Sequence, residues 1–533
     1  MPRERAGRAK RQAARSLPTA MDGGSAANAG SNLRPEALRD PRCYGRGVKK
    51  VRVAETHVSW VFLTGRYAYK VKKPVKLPFL DFSSLKLRKR FCDEELRVNR
   101  RLAPEIYLGV VPIGGTPASP RIGRKPAFEY AVKMREFPAD ARLDRRLAAN
   151  RVPRAAVAEF GSSLARFHAD LPVVRGIRAA EIGSAAQRNV DELAALLGNG
   201  SARELKALRA WTERHCAKLA PVFVQRAASA HRECHGDLHL QNLLWQNDKI
   251  VAFDALEFDR KLRDIDVISE IAFLAMDLQA HDRADLAYEL LNRYFEVGGD
   301  YGGIEVLPFY LVYRALVRAK VAAIKQAQSA AEGHDAERYL KTAAELASAK
   351  TPLLVITHGL SGSGKTTVTD ELVSRLPAIR ARSDLERKRL HGLAAAARSG
   401  SGLGLGLYAA AASERTYAAL AEIADRLLRN GQNALVDATF LRRAERLDFR
   451  QVAAVNGARF AILDCTAPPD ELRRRIKARA RKGRDASEAD LGVLERQLVT
   501  AEPLDRAERR HVVAVDTKRS IRYADLASRL GRA

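Results

Sequence analysis

The run Leu353-Leu-Val-Ile-Thr357 is apolar and β-branched, and it leads straight into Gly359-Leu360-Ser361-Gly362-Ser363-Gly364-Lys365-Thr366. A short run of this kind predicts a strand buried on both faces, as in a parallel sheet. The residues that follow fit G-x-x-x-x-G-K-[ST], and helical spacing begins at Thr366. Strand, glycine-rich turn and helix in that order aim successive N–H groups at one point, where they bind a phosphate. Gly359, Leu360, Ser361, Gly362, Ser363, Gly364, Lys365, Thr366 and Thr367 are therefore the expected nucleotide cradle. Lys365 is expected on the β/γ-phosphates, and the Thr366 hydroxyl on Mg²⁺.

Strand and helix patterns alternate from Pro352 onward. Strands are expected at Leu353–Thr357, Ala378–Arg382, Ala434–Val436, Arg459–Asp464 and His511–Val515, with helices over Thr366–Leu376 and Ser413–Arg429. That alternation predicts a doubly wound α/β unit with a parallel sheet. Asp437 ends the third strand, where a carboxylate can hold the magnesium shell; the rival is a solvated strand end. Asp384 follows the second strand, near the carboxyl edge where an acceptor sits, and can take a proton from a hydroxyl; the rival is a helix cap. Arg475 and Arg479 lie four apart in the basic run Arg473–Arg484, hence on one helical face. They are candidates to close over a γ-phosphate, against the alternative of a solvated helix. Ser399–Leu407 (SGSGLGLGL) is expected to be a mobile loop.

GLSGSGKTT, ARSDLERKRL, LVDATFLRRAER and the Arg-rich stretch ending in GRDASEAD resemble the P-loop kinases of the polynucleotide-kinase, gluconate-kinase and zeta-toxin group, over roughly 352–517. That resemblance implies Asp384 as general base, Asp437 as Walker-B acid, and Arg475 and Arg479 as lid arginines. It names no substrate, because the group acts on acceptors from nucleic-acid ends to sugars.

A second constellation lies in the first half. His235-Gly-Asp237-Leu-His239-Leu-Gln-Asn242 sets an Asp and an Asn five apart, and Asp254 ends the strand run Ile250–Asp254 twelve residues on. Phosphoryl transfer needs a base at the acceptor hydroxyl and oxygen ligands for magnesium. Asp237 is the expected base, and Asn242 and Asp254 are the expected metal ligands. Hard oxygen donors favour Mg²⁺ over zinc. A phosphate-holding lysine and its glutamate are also needed. Tyr67-Ala-Tyr69-Lys70 has the form of a strand ending in such a lysine, so Lys70 is the choice, with Lys72 the alternative. Glu95 on the next helix is the expected partner, with Glu94 the alternative. Asp264 and Asp266 are expected to brace the catalytic loop.

HGDLHLQNLLW resembles the catalytic loop of the aminoglycoside phosphotransferase family, which shares the protein-kinase fold, over roughly 50–330. One departure is plain: no glycine-rich loop precedes Lys70, and Glu55-Thr-His-Val-Ser59 lies in its place. The order of the two halves resembles bacterial bifunctional proteins that join a phosphotransferase-like half to an ATP-binding half. The resemblance implies two domains: an N-terminal α+β protein-kinase-like fold and a C-terminal α/β P-loop NTPase with a parallel sheet. The expected boundaries are a basic disordered arm at 1–35, a kinase-like domain at 36–350 and a P-loop domain at 351–533.

Composition bounds the function classes. The 533 residues carry a net charge of +29 and 46% hydrophobic content, that of a chain able to bury cores. No run of about 18 apolar residues suggests a membrane span. The first 30 residues lack the apolar segment of a secretory leader. Five widely spaced cysteines with no CxxC pair indicate neither a disulfide framework nor a zinc site, so a cytoplasmic setting is expected. The leading reading is an ATP- and Mg²⁺-dependent phosphotransferase with two kinase sites acting on hydroxyl acceptors, small molecules or nucleic acid. One alternative is a P-loop kinase or ATPase regulated by a non-catalytic kinase-like domain. The other is a nucleic-acid end kinase, which the positive charge favours and the lack of an aromatic-interleaved basic surface does not.

Overall fold

Alternation along the third strand sets the architecture of the N-terminal half. Tyr69 and Val71 face a core with Phe62, Ile113 and Ala131. Ala68, one residue out of phase, faces the opposite core with Cys92, Val132 and Met134. The computed structural model of the protein describes residues 33–77, 80–328, 334–393, 410–482 and 490–532. In it β1 (Arg52–Glu55), β2 (Ser59–Leu63), β3 (Tyr67–Lys72), β6 (Tyr107–Thr116), β7 (Ser119–Ile122) and β8 (Ala127–Arg135) form an antiparallel sheet in the order β1-β2-β3-β8-β6-β7. A short ladder, β4 (Lys76–Leu77) with β5 (Leu80–Asp81), leads to helix α1 (Leu85–Asn99). Ser84 caps that helix by accepting from the Leu87 N–H.

The back of this half is helical: α2 (Leu143–Ala148), α3 (Arg154–Asp170), α4 (Ala179–Leu197), α5 (Ala202–Ser229), α6 (Val267–Ala280), α7 (Ala284–Gly298), α8 (Leu307–Gln328) and α9 (Asp335–Ala347). Between α5 and α6 lie two small ladders. β9 (His231–Glu233) pairs with β12 (Asp264–Asp266), and β10 (Leu243–Gln246) with β11 (Lys249–Ala252). They clasp the segment that carries Asp237.

In the C-terminal half, β13 (Leu353–His358), β14 (Ala378–Arg382), β15 (Asn433–Asp437), β16 (Arg459–Thr466) and β17 (Val512–Asp516) form the expected parallel sheet, in the order β14-β15-β13-β16-β17. Leu353 and Val355 pack under α10 (Lys365–Leu372) and α16 (Tyr523–Leu530). Leu354 and Ile356 pack on the other face with α12 (Ala410–Arg429) and α13 (Arg443–Val455). The helices α11 (Ser383–Leu390), α14 (Pro469–Lys482) and α15 (Leu491–Thr500) stand over the carboxyl edge.

Helix α7 is the element that sequence patterning passes over. Leu286, Leu290, Leu291 and Tyr294 form its apolar stripe, but Glu289, Asn292 and Glu296 on the opposite face, where solvent is expected, are buried as well. It lies against β14, an edge of the parallel sheet, and caps that edge with side chains. Asn292 Nδ2 donates to Ala378 O (2.8 Å), Asn292 Oδ1 accepts from Arg380 N–H (2.7 Å), and the Tyr301 hydroxyl donates to Arg380 O (3.2 Å). One hydrophobic core runs without interruption from Leu290 and Phe295 to Ile379 and Ala381. The two halves are thus joined by a core and by a capped sheet edge.

The expected basic arm lies outside the described residues, except that its last residues are ordered. Leu33 is buried with Leu38 and Cys43, and Pro35 opens a 3₁₀ turn. The Ser399–Leu407 loop also lies outside them. Among the described residues no helix is long and apolar enough to cross a membrane.

Candidate active sites

The glycines of the C-terminal cradle answer to geometry. Gly359 has φ +140°, and a Cβ there would lie 2.4 Å from Cys465 O. Gly364 has φ +87° where α10 begins. Lys365 Nζ donates to Gly359 O and Leu360 O (2.9 Å each), closing the loop on itself. Burial lowers its pKa from the ordinary lysine value, against the pull of the Asp437 carboxylate. Ser361, Gly362, Gly364, Lys365, Thr366 and Thr367 line a pocket of ≈ 580 Å³. Gly359, Leu360 and Ser363 face a second, adjoining cavity instead.

Asp384, Asp437, Arg475 and Arg479 line the phosphate-side pocket too. Asp384 sits in the first turn of α11, 3.8 Å from Arg387 Nη1. Asp437 ends β15 and accepts from the Thr369 hydroxyl (3.1 Å). Arg475 lies at the rim of the pocket, held there by several contacts. Its Nε donates to Glu471 (2.7 Å), and its Nη groups donate to Thr517 Oγ1 (2.8 Å), Thr517 O (2.9 Å) and Gly362 O (3.3 Å). It ties α14 to the cradle and to the turn after β17. Gln497 of α15, which sequence reasoning missed, accepts the Ser361 N–H (2.8 Å). Its partner lies 136 residues away, so no local signal marks it.

In the N-terminal half, β3 turns Lys70 and Lys72 toward α1. Lys70 Nζ lies 2.9 Å from Glu95 Oε1 and 2.7 Å from Asp254 Oδ1. Lys72, fully buried, is held by Glu95 (2.7 Å) and Glu257. Burial pushes the Glu95 carboxyl up, but the Lys70 and Lys72 ammonium groups outweigh it and hold its pKa below the ordinary glutamate value. Glu94 turns away to Arg97 and Arg263. Lys70 is therefore the lysine with a partly open face, and Glu95 the glutamate that orients it. Asp254 adopts φ +63°, and its N–H donates to the Tyr107 hydroxyl (3.1 Å).

Asp237 and Asn242 meet: Asn242 Nδ2 donates to Asp237 Oδ2 (2.8 Å) and Asp237 O (3.0 Å). His239 Nε2 lies 3.2 Å from the same carboxylate. Burial raises the Asp237 pKa, but His239 and Arg318 overcome it and hold the carboxyl well below the usual range. His235 is structural. Its Nε2 pairs with Phe253 O (2.9 Å), and burial keeps it neutral.

The bracing expected of Asp264 and Asp266 falls to other residues. Glu270 accepts the N–H groups of His235 (2.7 Å) and Gly236 (3.0 Å), and Asp277 accepts that of Leu240 (2.8 Å). Asp266 instead caps α6 and pairs with Arg226, and Asp264 pairs with Arg260. Carboxylates about one and three helical turns into α6 reach the loop; one at its cap does not.

Residues 87–307 match the model of the Phosphotransferase enzyme family, and residues 354–504 match that of an AAA domain. Uncharacterised proteins of Mycobacterium tuberculosis and Mycobacterium bovis are 30% identical over 448 residues, covering 82% of this chain and 88% of theirs. Among solved structures, a gluconokinase from Sinorhizobium meliloti 1021 is 21% identical, with TM-score 0.25, over 34% of this chain and 94% of its own. The GDP complex of an aminoglycoside 2'-phosphotransferase is 13% identical, with TM-score 0.37, over 57% of this chain and 94% of its own.

Proposed function

Since the chain belongs to the family of two-domain proteins, represented in mycobacteria, that join a phosphotransferase domain to a P-loop domain, we propose that it is an ATP- and Mg²⁺-dependent phosphotransferase with two separate transfer centres, each acting on a hydroxyl acceptor. The observation that carries this reading is that two unrelated sets of lysine, base and hard-oxygen ligand each converge in space. One is Lys365, Asp384, Thr366 and Asp437 around a single pocket. The other is Lys70 with Glu95 and Asp254, and Asp237 with Asn242, two contact groups brought together where the Phe253 N–H, next to Asp254, donates to Asn242 O (3.0 Å).

Both donor sets fit Mg²⁺. They offer carboxylate, amide and hydroxyl oxygens and no thiolate. Thr366 and Asp437 would hold the ion in the P-loop centre, and Asn242 and Asp254 in the other. The bound nucleotide supplies the transferable phosphoryl group. Lys365 and Lys70 place a positive charge against its phosphates. Asp384 and Asp237 accept the proton from the acceptor hydroxyl, and the depressed pKa of Asp237 keeps it ionised for that task. Arg475 holds the cradle to the β17 turn, which fixes the loop before any ligand arrives.

The test is release or transfer of labelled γ-phosphate by the full chain, with sugars, aminoglycosides and 5'-hydroxyl oligonucleotides offered as acceptors. Lys365→Ala together with Asp237→Ala is expected to abolish it, each removing about 10²-fold or more. Undiminished turnover in the double variant would refute the proposal. A second reading, that the N-terminal half only regulates the other, is favoured by the tight β1–β2 turn at Thr56-His57-Val58, which carries no glycine. It predicts no Mg²⁺-dependent ATP binding by the Lys365→Ala chain.

A further inference from the structure

Arg380 sits on β14, 1% exposed, inside the P-loop half. A buried guanidinium needs a carboxylate. Its main one comes from the other half: Glu296 of α7, 4% exposed, accepts from Arg380 Nε (2.9 Å) and Nη2 (2.6 Å) through Oε1. Arg380 then reaches into the P-loop centre. Its Nη1 donates to Thr369 Oγ1 (2.9 Å), and the Thr369 hydroxyl donates to Asp437 Oδ2 (3.1 Å). Its Nη2 also donates to Asp370 on α10 (2.7 Å), which Arg293 of α7 grips as well (3.1 Å). Arg154 of α3 bonds the Asp370 carbonyl and the Glu371 carboxylate of the same helix.

Resting on the reading of Asp437 as a magnesium ligand, we propose that Glu296, supplied by the phosphotransferase half, is a positioning residue of the P-loop centre: through Arg380 and Thr369 it sets Asp437 for its cation. The P-loop half is then not an independent engine. Its metal ligand is held in place by a chain of three contacts that begins in the neighbouring domain. The geometry gives the reason. With Glu296 present, two hydrogen bonds fix the Arg380 guanidinium so that its Nη1 meets Thr369 and the Thr369 hydroxyl holds Asp437 Oδ2. Without Glu296, or without Arg380, Thr369 loses that anchor and Asp437 is no longer held in one orientation for the cation.

The test uses the full chain in an Asp254→Asn background, which removes the carboxylate among the two metal ligands proposed for the other centre. Mn²⁺, standing in for Mg²⁺, is titrated by electron paramagnetic resonance in the presence of a non-hydrolysable ATP analogue. Glu296→Gln is expected to weaken Mn²⁺ about tenfold, the lower end of the 10–100-fold seen when outer partners of a metal ligand are removed. The affinity for the analogue at saturating Mn²⁺ should move less than twofold. Glu296→Asp, which keeps the charge, should recover Mn²⁺ affinity to within about threefold of the parent. A role confined to stability would lower the melting temperature and leave this split unmoved.

Should Glu296→Gln fold poorly, Glu296→Gln with Arg380→Gln leaves neither charge stranded. It is expected to recover stability but not Mn²⁺ affinity. Unchanged Mn²⁺ affinity in either variant would overturn the proposal. The underlying reading is checked separately in the same background: if Lys365→Ala leaves the Mn²⁺ and analogue titrations intact, the P-loop assignment itself is wrong, whatever Glu296 does.

Discussion

Replacing Asn292 with Ala should open the seam between the two halves. Asn292 is 1% exposed and holds two backbone groups at the free edge of β14, the Arg380 N–H and the Ala378 carbonyl. The truncation leaves both groups buried without a partner. Each costs about 1–3 kcal/mol, so the local loss is about 2–6 kcal/mol, and ~3 kcal/mol lies in the lower half of that range. A loss of ~3 kcal/mol is about a hundredfold in a local opening constant. Hydrogen exchange read by mass spectrometry on the segment 378–382 is the direct assay. The amides there should exchange about a hundredfold faster in Asn292→Ala, while those of the β16 core strand change far less. Exchange within threefold of the parent across 378–382 would refute the idea that α7 completes the sheet edge.

Two further outcomes follow from buried charge and buried imidazole. Lys72→Met should cost about 3–5 kcal/mol in urea unfolding, because it strands the buried Glu257 and leaves Glu95 with Lys70 alone, whereas Lys70→Ala, which leaves Glu95 on Lys72 and frees only the half-exposed Asp254, should cost less and abolish nucleotide binding in that half; equal effects of the two on stability would contradict the assignment of their roles. His168 is 3% exposed, its Nδ1 pairs with the Tyr294 hydroxyl, and burial lowers its pKa to about 3. The folded chain therefore binds fewer protons than the unfolded one below the ordinary histidine pKa near 6.5, so stability is full above that pH and falls as pH drops toward 3. Between pH 7 and pH 5 this residue alone should cost about 2 kcal/mol, and His168→Gln should flatten that part of the profile; an equally steep profile in the variant would contradict it.

What was legible in the chain was what chemistry confines to a few neighbouring positions. The cradle from Gly359 to Thr367 could be read because its glycines, lysine and hydroxyl act within one turn. Asp237, Asn242 and Asp254 could be read because a catalytic loop and the strand after it keep fixed spacing. The parallel sheet was visible in its apolar runs. Residues whose meaning depends on distant partners were not legible. Asn292 and Glu296 act on backbone and side chains 84–88 residues away, and the polar stripe of α7 that carries them has the pattern of a solvent-facing one. The contacts of Arg475 with Gly362 and Thr517, 113 and 42 residues off, could not be read either. The choice of Glu95 over Glu94 rests on which side of α1 meets β3. Glu270 was missed for a similar reason: only the packing of α6 under the loop turns a mid-helix carboxylate into its anchor.

Equilibrium titration of the full chain with a non-hydrolysable ATP analogue at saturating Mg²⁺ tests the two-centre account most directly. The account predicts two molecules bound per chain, falling to one in Lys365→Ala and to one in Lys70→Ala. A single bound molecule that Lys365→Ala removes and Lys70→Ala leaves untouched would contradict it.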